Sequence, residues 1–193
     1  MPGYEVIGKE EQNEISEIFN NGGILFRHGF DKLRNNCFKV KEFEKKFSNF
    51  LKVKNSLAVT SGTAALRVAF ASLGIGQGDE VITQCFTFVA TVEAIVESGA
   101  TPICANINET LNICPDDAEK LINSKTKAIV VVHMLGVPCE IEKIKKLCDK
   151  YNLFLIEDTA WGCGGNFKGK ALGTWGDVGT YSFDFAKTMT TGE

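Results

Sequence analysis

Three short stretches carry groups suited to chemistry. Ser61-Gly62-Thr63-Ala64-Ala65 stands where a short apolar run gives way to an amphipathic one. The free N–H groups of a helix start favour an anion, glycine lets that anion come close to the backbone, and Thr63 adds a hydroxyl donor. Ile156-Glu157-Asp158 ends a second apolar run. In open α/β sheets ligands collect beyond the carboxyl ends of the strands, and a carboxylate there can pair with a positively charged ring nitrogen. Lys187, in Ser182-Phe183-Asp184-Phe185-Ala186-Lys187, follows the last apolar run. A lysine amine near a sheet edge can form a Schiff base with a carbonyl, provided its surroundings let it shed a proton. Phe88, in Thr87-Phe88-Val89-Ala90-Thr91, offers a flat face on which a planar ring can stack. Each group alone also has an ordinary reading: a helix cap, a loop aspartate, a solvated lysine, a core phenylalanine.

The elements that position these groups follow from hydrophobic period and punctuation. Residues 56–60 read as a strand, followed by a helix carrying Leu66, Val68, Ala69, Phe70 and Leu73 that ends at Gly74, Gly76 and Gly78. Further strands are expected over 80–83, 101–105, 128–133, 153–156 and 178–183, the run at 128–133 being apolar throughout, as in a strand buried on both faces. Helices are expected over 89–97, from Pro115 with Asp116 and Asp117 in the first turn, and along Ile141, Ile144, Leu147 and Cys148. The glycine-rich stretch 162–179 reads as a loop with a turn or hairpin. The first 50 residues read as polar helices with apolar stripes at Ile15, Ile18 and Phe19, and at Val40, Phe43, Phe47, Phe50 and Leu51, broken at Asn20-Asn21-Gly22-Gly23. Alternating strands and helices argue for an α/β fold with a mostly parallel sheet and right-handed crossovers.

Composition narrows the function classes. With 44% hydrophobic and 23% charged residues among 193, the chain is an ordinary globular one. A net charge of -3 without a basic stripe argues against nucleic acid as a partner, so an anionic substrate must be held by local groups. Seven cysteines, an odd number with no CxxC spacing, argue against a disulfide framework or a zinc site. The opening MPGYEVIGKEEQNE lacks the basic start and apolar run of a secretory signal, and no apolar run is long enough for a bilayer. A cytoplasmic protein without membrane partners is the expectation. His28 and His133 are the two histidines; neither is given a role, and His133 beside a buried run reads as structural.

Taken in order, an early phosphate loop, an aromatic after the second strand, an aspartate after the fifth, and a serine five residues before a lysine after the sixth describe a pyridoxal 5'-phosphate (PLP) site. PLP needs an anion cradle, a ring platform, a pyridinium partner and an amine anchor. The same residues resemble the DegT/DnrJ/EryC1/StrS family of sugar aminotransferases. The matching stretches are Ser61-Gly62-Thr63-Ala64-Ala65-Leu66, Gly74-Ile75-Gly76-Gln77-Gly78-Asp79-Glu80-Val81, Thr87-Phe88-Val89-Ala90-Thr91, Gly99-Ala100-Thr101-Pro102, Ile156-Glu157-Asp158, Gly173-Thr174-Trp175-Gly176-Asp177, and Ser182-Phe183 through Lys187 to Thr191-Gly192-Glu193.

The resemblance implies an α/β, fold type I PLP-transferase large domain, aspartate-aminotransferase-like: a three-layer αβα arrangement with a mixed, mostly parallel sheet, here truncated. Residues 1–55 would be a helical segment and 56–193 an incomplete PLP-binding domain, with the C-terminal small domain absent. It implies that Gly62, Thr63 and Ser182 hold the phosphate, Phe88 covers the ring, Asp158 pairs with the pyridinium nitrogen, and Lys187 anchors the cofactor and moves the catalytic proton. Trp161 stands where the family commonly has glutamine, and Asp184 where it often has histidine. The implied activity is amino transfer from glutamate or glutamine to a nucleotide-linked keto sugar, for polysaccharide or glycosylated-metabolite synthesis, by a homodimer when full length. The alternatives are a sugar dehydratase of the same family, in which histidine replaces the lysine, another fold type I activity, and a non-catalytic truncated relative.

Overall fold

The computed structural model describes residues 3–192, so Met1 and Pro2 of the opening stretch and Glu193 of the last matching one lie outside the described residues. After a 3-10 turn at Gly3–Val6, the chain forms α1 (Lys9–Asn20) and α2 (Lys39–Leu51). The α/β part runs α3 (Gly62–Ser72), β1 (Glu80–Gln84), α4 (Val89–Glu97), β2 (Thr101–Ala105), α5 (Pro115–Leu121), β3 (Thr126–Val132), α6 (Ile141–Tyr151) and β4 (Phe154–Asp158). A small antiparallel pair, β5 (Asn166–Phe167) and β6 (Lys170–Ala171), precedes β7 (Val178–Thr180).

The main sheet has five strands in the order β2-β1-β3-β4-β7, every pair parallel. Strand alternation sends successive side chains to opposite faces, and two cores result. Val81, Val130 and Ile156 pack with Leu66, Phe70, Ala94 and Ile95 of α3 and α4. Ile82, Val131 and Leu155 pack with Ala118 of α5 and Ile141, Ile144 and Leu147 of α6. Buried on both faces, β3 has no polar residue between Ala128 and Val132. Strand order reverses between β1 and β3, so a crevice opens at the carboxyl ends of the strands, where ligands bind in such sheets.

Three expectations need correction. Residues 56–60 are extended but form no strand. Their polar groups are taken by α2 instead: the Ser56 hydroxyl donates to the Glu44 carbonyl (2.6 Å), and the Ala58 N–H donates to the Glu44 carboxylate (2.8 Å). The stripe on α1 meets no core, as Ile15 and Phe19 are exposed; α1 is held to α2 by Lys39, whose ammonium lies 2.5 and 2.6 Å from Glu14 and Glu17. The last strand ends at Thr180 rather than continuing to residue 183. Beyond it, Tyr181 and Phe183 turn their rings edge-on to Phe47 of α2, at 5.0 and 5.3 Å, in a third core with Leu51 and Cys163. No helix among the described residues is long and apolar enough to cross a membrane.

Candidate active site

Asp158 is the last residue of β4 and, two positions after Ile156, faces the layer of α3 and α4. Its carboxylate accepts hydrogen bonds from the Thr91 hydroxyl (2.9 Å) and the Ala160 N–H (3.1 Å). Thr91 is itself buried and shares a 2.8 Å hydrogen bond with the Thr87 hydroxyl. Burial pushes the Asp158 carboxyl above its usual range; Ala160, Thr91 and, at longer range, Lys187 and His133 pull the other way. Among the described residues no cation touches that carboxylate, which is the environment a protonated ring nitrogen would complete. Phe88 caps α4 one turn before Thr91, with its ring 65% exposed at the same end of the sheet.

The second corner is the start of α3. Ser61 is the cap, its hydroxyl accepting from the Ala64 N–H (3.0 Å), and the first backbone donor used inside the helix is that of Ala65. The N–H groups of Gly62 and Thr63 therefore point out of the helix end. Gly62 also abuts the segment after β7: a Cβ there would sit 3.1 Å from the Cβ of Ser182 and 3.4 Å from its hydroxyl oxygen. Ser182 is buried. Glycine thus permits a helix start and a serine hydroxyl to converge on one small volume, as an anion cradle requires.

Lys187 lies in the loop after β7. The Asp184 carboxylate accepts from the Ala186 N–H (3.1 Å), and the Lys187 N–H donates to the Asp184 carbonyl (3.0 Å), so Asp184 shapes the turn that presents the lysine. The Lys187 carbonyl accepts from the Gly3 N–H (2.7 Å), and Tyr4 stacks on Phe185 with centroids 4.5 Å apart. The Lys187 ammonium sits over the indole of Trp161, 3.9 Å from the ring centroid.

Two functional supports escaped the sequence reading. Glu157, fully buried, faces away from Asp158 and accepts hydrogen bonds from the N–H groups of Gly173 (2.8 Å), Trp175 (2.6 Å) and Gly176 (2.8 Å). Its fourth partner is His133 Nε2 at 3.0 Å. His133 Nδ1 accepts from the Cys139 N–H (3.3 Å), which leaves the ring proton on Nε2, donating to Glu157. This pin ties the ends of β3 and β4 to the Gly173–Gly176 turn that feeds β7. Gly173 (φ 83°) is required there, since a side chain would overlap the Tyr181 hydroxyl. Thr91 is the other support. It stood inside a quoted match without a role, and its four-residue spacing from Thr87 at a helix start was the available signal. The Glu157 partners lie 16 to 24 residues away, so no local pattern announces them.

A groove of about 910 Å³ runs beside this constellation, between residues 55–60 and the open edge of β7. Its walls include Gly62 and Ser182 but not Asp158, Lys187, Phe88 or Trp161, so it lies behind the Gly62–Ser182 contact and is distinct from the crevice above Asp158.

The sequence profile of the DegT/DnrJ/EryC1/StrS aminotransferase family matches residues 7–193. The chain belongs to this family. The GDP-perosamine synthase of Vibrio cholerae is 48% identical over 195 residues, which is 100% of this chain and 51% of that protein. The aminotransferase from Psychrobacter cryohalolentis superposes with a TM-score of 0.87 at 36% identity, over 96% of this chain and 45% of that one. Spr1654 from Streptococcus pneumoniae, solved in its PLP-form, superposes with a TM-score of 0.88 at 27% identity, over 100% of this chain and 50% of that one. The chain spans about half the length of the curated relatives it matches. DegT/DnrJ/EryC1/StrS aminotransferases are PLP-dependent, and the residues fit that cofactor. A buried carboxylate short of a cation, a helix start opened by Gly62, a buried serine hydroxyl and a lysine amine lie at one end of one sheet.

Proposed function

We propose that this chain forms the cofactor-holding part of a PLP-dependent aminotransferase that moves an amino group from glutamate or glutamine to a keto carbon of a nucleotide-linked sugar. The observation that carries the reading is that Asp158 pairs with the last residue of β7 and feels the charge of Lys187, and that Ser182, just past β7, meets Gly62. Gly62 and Thr63, through their N–H groups, and Ser182, through its hydroxyl, would hold the phosphate. Asp158, kept in place by Thr91 and Ala160, would hold the proton on the ring nitrogen. Phe88 would lie against the ring, and Trp161 beside it at the lysine end. PLP, when bound, supplies the electron sink that stabilises negative charge at the amino-bearing carbon. Lys187 would anchor the cofactor and then carry a proton to or from that carbon. Residues 56–193 act in this reading as the large domain, with 1–55 packed on it, and the whole enzyme works in the cytoplasm as a homodimer in polysaccharide or glycosylated-metabolite synthesis.

The name of the Vibrio cholerae relative, GDP-perosamine synthase, supports a nucleotide-linked amino sugar as the product class. The test is an amino-transfer assay on the full-length protein with glutamate or glutamine and a panel of GDP- and dTDP-linked keto sugars. Turnover of at least one keto sugar, abolished by Lys187→Ala, is expected. Turnover of none, with PLP bound, removes the sugar claim.

A further inference from the structure

Trp161 touches the amine of Lys187. The Lys187 ammonium rests 3.9 Å from the centre of the indole, well inside the range at which a ring face attracts a cation. Trp gives the strongest such attraction among the aromatic side chains. Among the described residues no carboxylate forms an ion pair with this ammonium, and Asp158 acts on it only at longer range. Both partners are constrained. Trp161 follows the turn in which the Asp158 carboxylate accepts the Ala160 N–H, and its carbonyl packs against Gly136. The Lys187 loop is closed by Asp184, and by the Thr191 N–H donating to the Phe183 carbonyl (3.0 Å).

We infer that Trp161 is a positioning residue: its indole face seats the Lys187 amine and aims it at the crevice. A glutamine at 161 would offer a carbonyl and an amide but no ring face, so Trp161→Gln removes the seat. The seat keeps a long, flexible side chain of high rotamer entropy aimed at the crevice instead of leaving it in solvent. Removing the ring loosens the aim of the amine. The inference rests on the reading of Lys187 as the cofactor anchor.

The experiment uses full-length protein stripped of PLP, with lysine labelled by ¹³C at Cε. A ring current displaces protons held over an indole face, so one lysine Cε signal is expected upfield of the rest. It should be absent in Lys187→Met and in Trp161→Gln, and retained in part in Trp161→Phe, which restores a ring face. Adding PLP should abolish the displacement. Stopped-flow absorbance should show PLP capture by Trp161→Gln slowed by about two- to fivefold, the size of one exposed cation–ring contact. A Lys187 signal at the ordinary position in PLP-free protein overturns the inference, as does a displaced signal that persists in Trp161→Gln. If PLP binds covalently to Lys187→Ala, it is the reading of the site that fails. If Lys187 takes PLP but its resting signal is undisplaced, only the seat fails.

Discussion

A carboxylate buried without a cation costs the folded chain stability, and Asp158 is in that position. Burial raises its pKa, so the folded state resists ionisation relative to the unfolded chain. The cost is absent below the ordinary aspartate range near pH ~4, grows as pH rises from there, and is complete above the folded value. Asp158→Asn carries no charge, and the reversible Thr91–Thr87 hydroxyl pair can turn to accept from its amide. PLP-free Asp158→Asn is therefore expected to melt at or above the wild type at pH 7, with the gap closing by about pH 4. Activity should fall by about 10²–10³-fold, as when other preorganised charge stabilisers are removed. A scanning-calorimetry series showing the variant several degrees less stable at pH 7 without cofactor contradicts this account of Asp158. The places of Asp158 and Lys187 in the fold were legible in the sequence because each follows an apolar run: Asp158 ends β4, and Lys187 lies in the loop after β7. Glu157 was not, although its two buried donors, His133 Nε2 and the Gly173 N–H, would each cost about 1–3 kcal/mol if orphaned. Its partners come from elements that meet only in the folded sheet.

At the scale of elements, the site depends on how closely the start of α3 approaches the segment after β7. Gly62→Ala puts a methyl group 3.1 Å from the Ser182 Cβ, so one of the two must give by a few tenths of an ångström. The cradle widens while the α3 core of Leu66, Ala69 and Phe70 stays in place. The expected result is PLP affinity reduced roughly ten- to hundredfold, the scale of one or two charge-assisted hydrogen bonds, with little change in melting temperature. Absorbance titration checks the first and thermal melting the second; unchanged affinity contradicts the cradle. Most elements were legible because period and punctuation agree in them: α4 and β2 follow the expected residues, and β1, β3 and β4 differ only at their ends. Residues 56–60 have strand composition, yet strandhood requires a neighbour, and their neighbours here are the Glu44 and Ser48 side chains of α2. The α1 stripe misleads for a related reason, since amphipathic spacing marks a face without naming what covers it.

For the molecule as a whole, one sheet divides two cores and gathers four chemically different groups at one end. The reversal of strand order between β1 and β3 opens the crevice, and the Glu157–His133 pin fixes β3, β4 and the approach to β7 as one unit. The far edge of β7 is unpaired among the described residues and faces the groove walled by Phe43, Phe47 and residues 55–60. This arrangement would hold one PLP molecule between Asp158 and Gly62 with Lys187 as its anchor. The most direct measurement is borohydride reduction of the PLP-loaded full-length protein, followed by peptide mass spectrometry. The cofactor is expected to be fixed on the peptide containing Lys187 and on no other, and to be absent from Lys187→Ala. Cofactor fixed to a different lysine, or a wild-type protein that takes up none, contradicts the account.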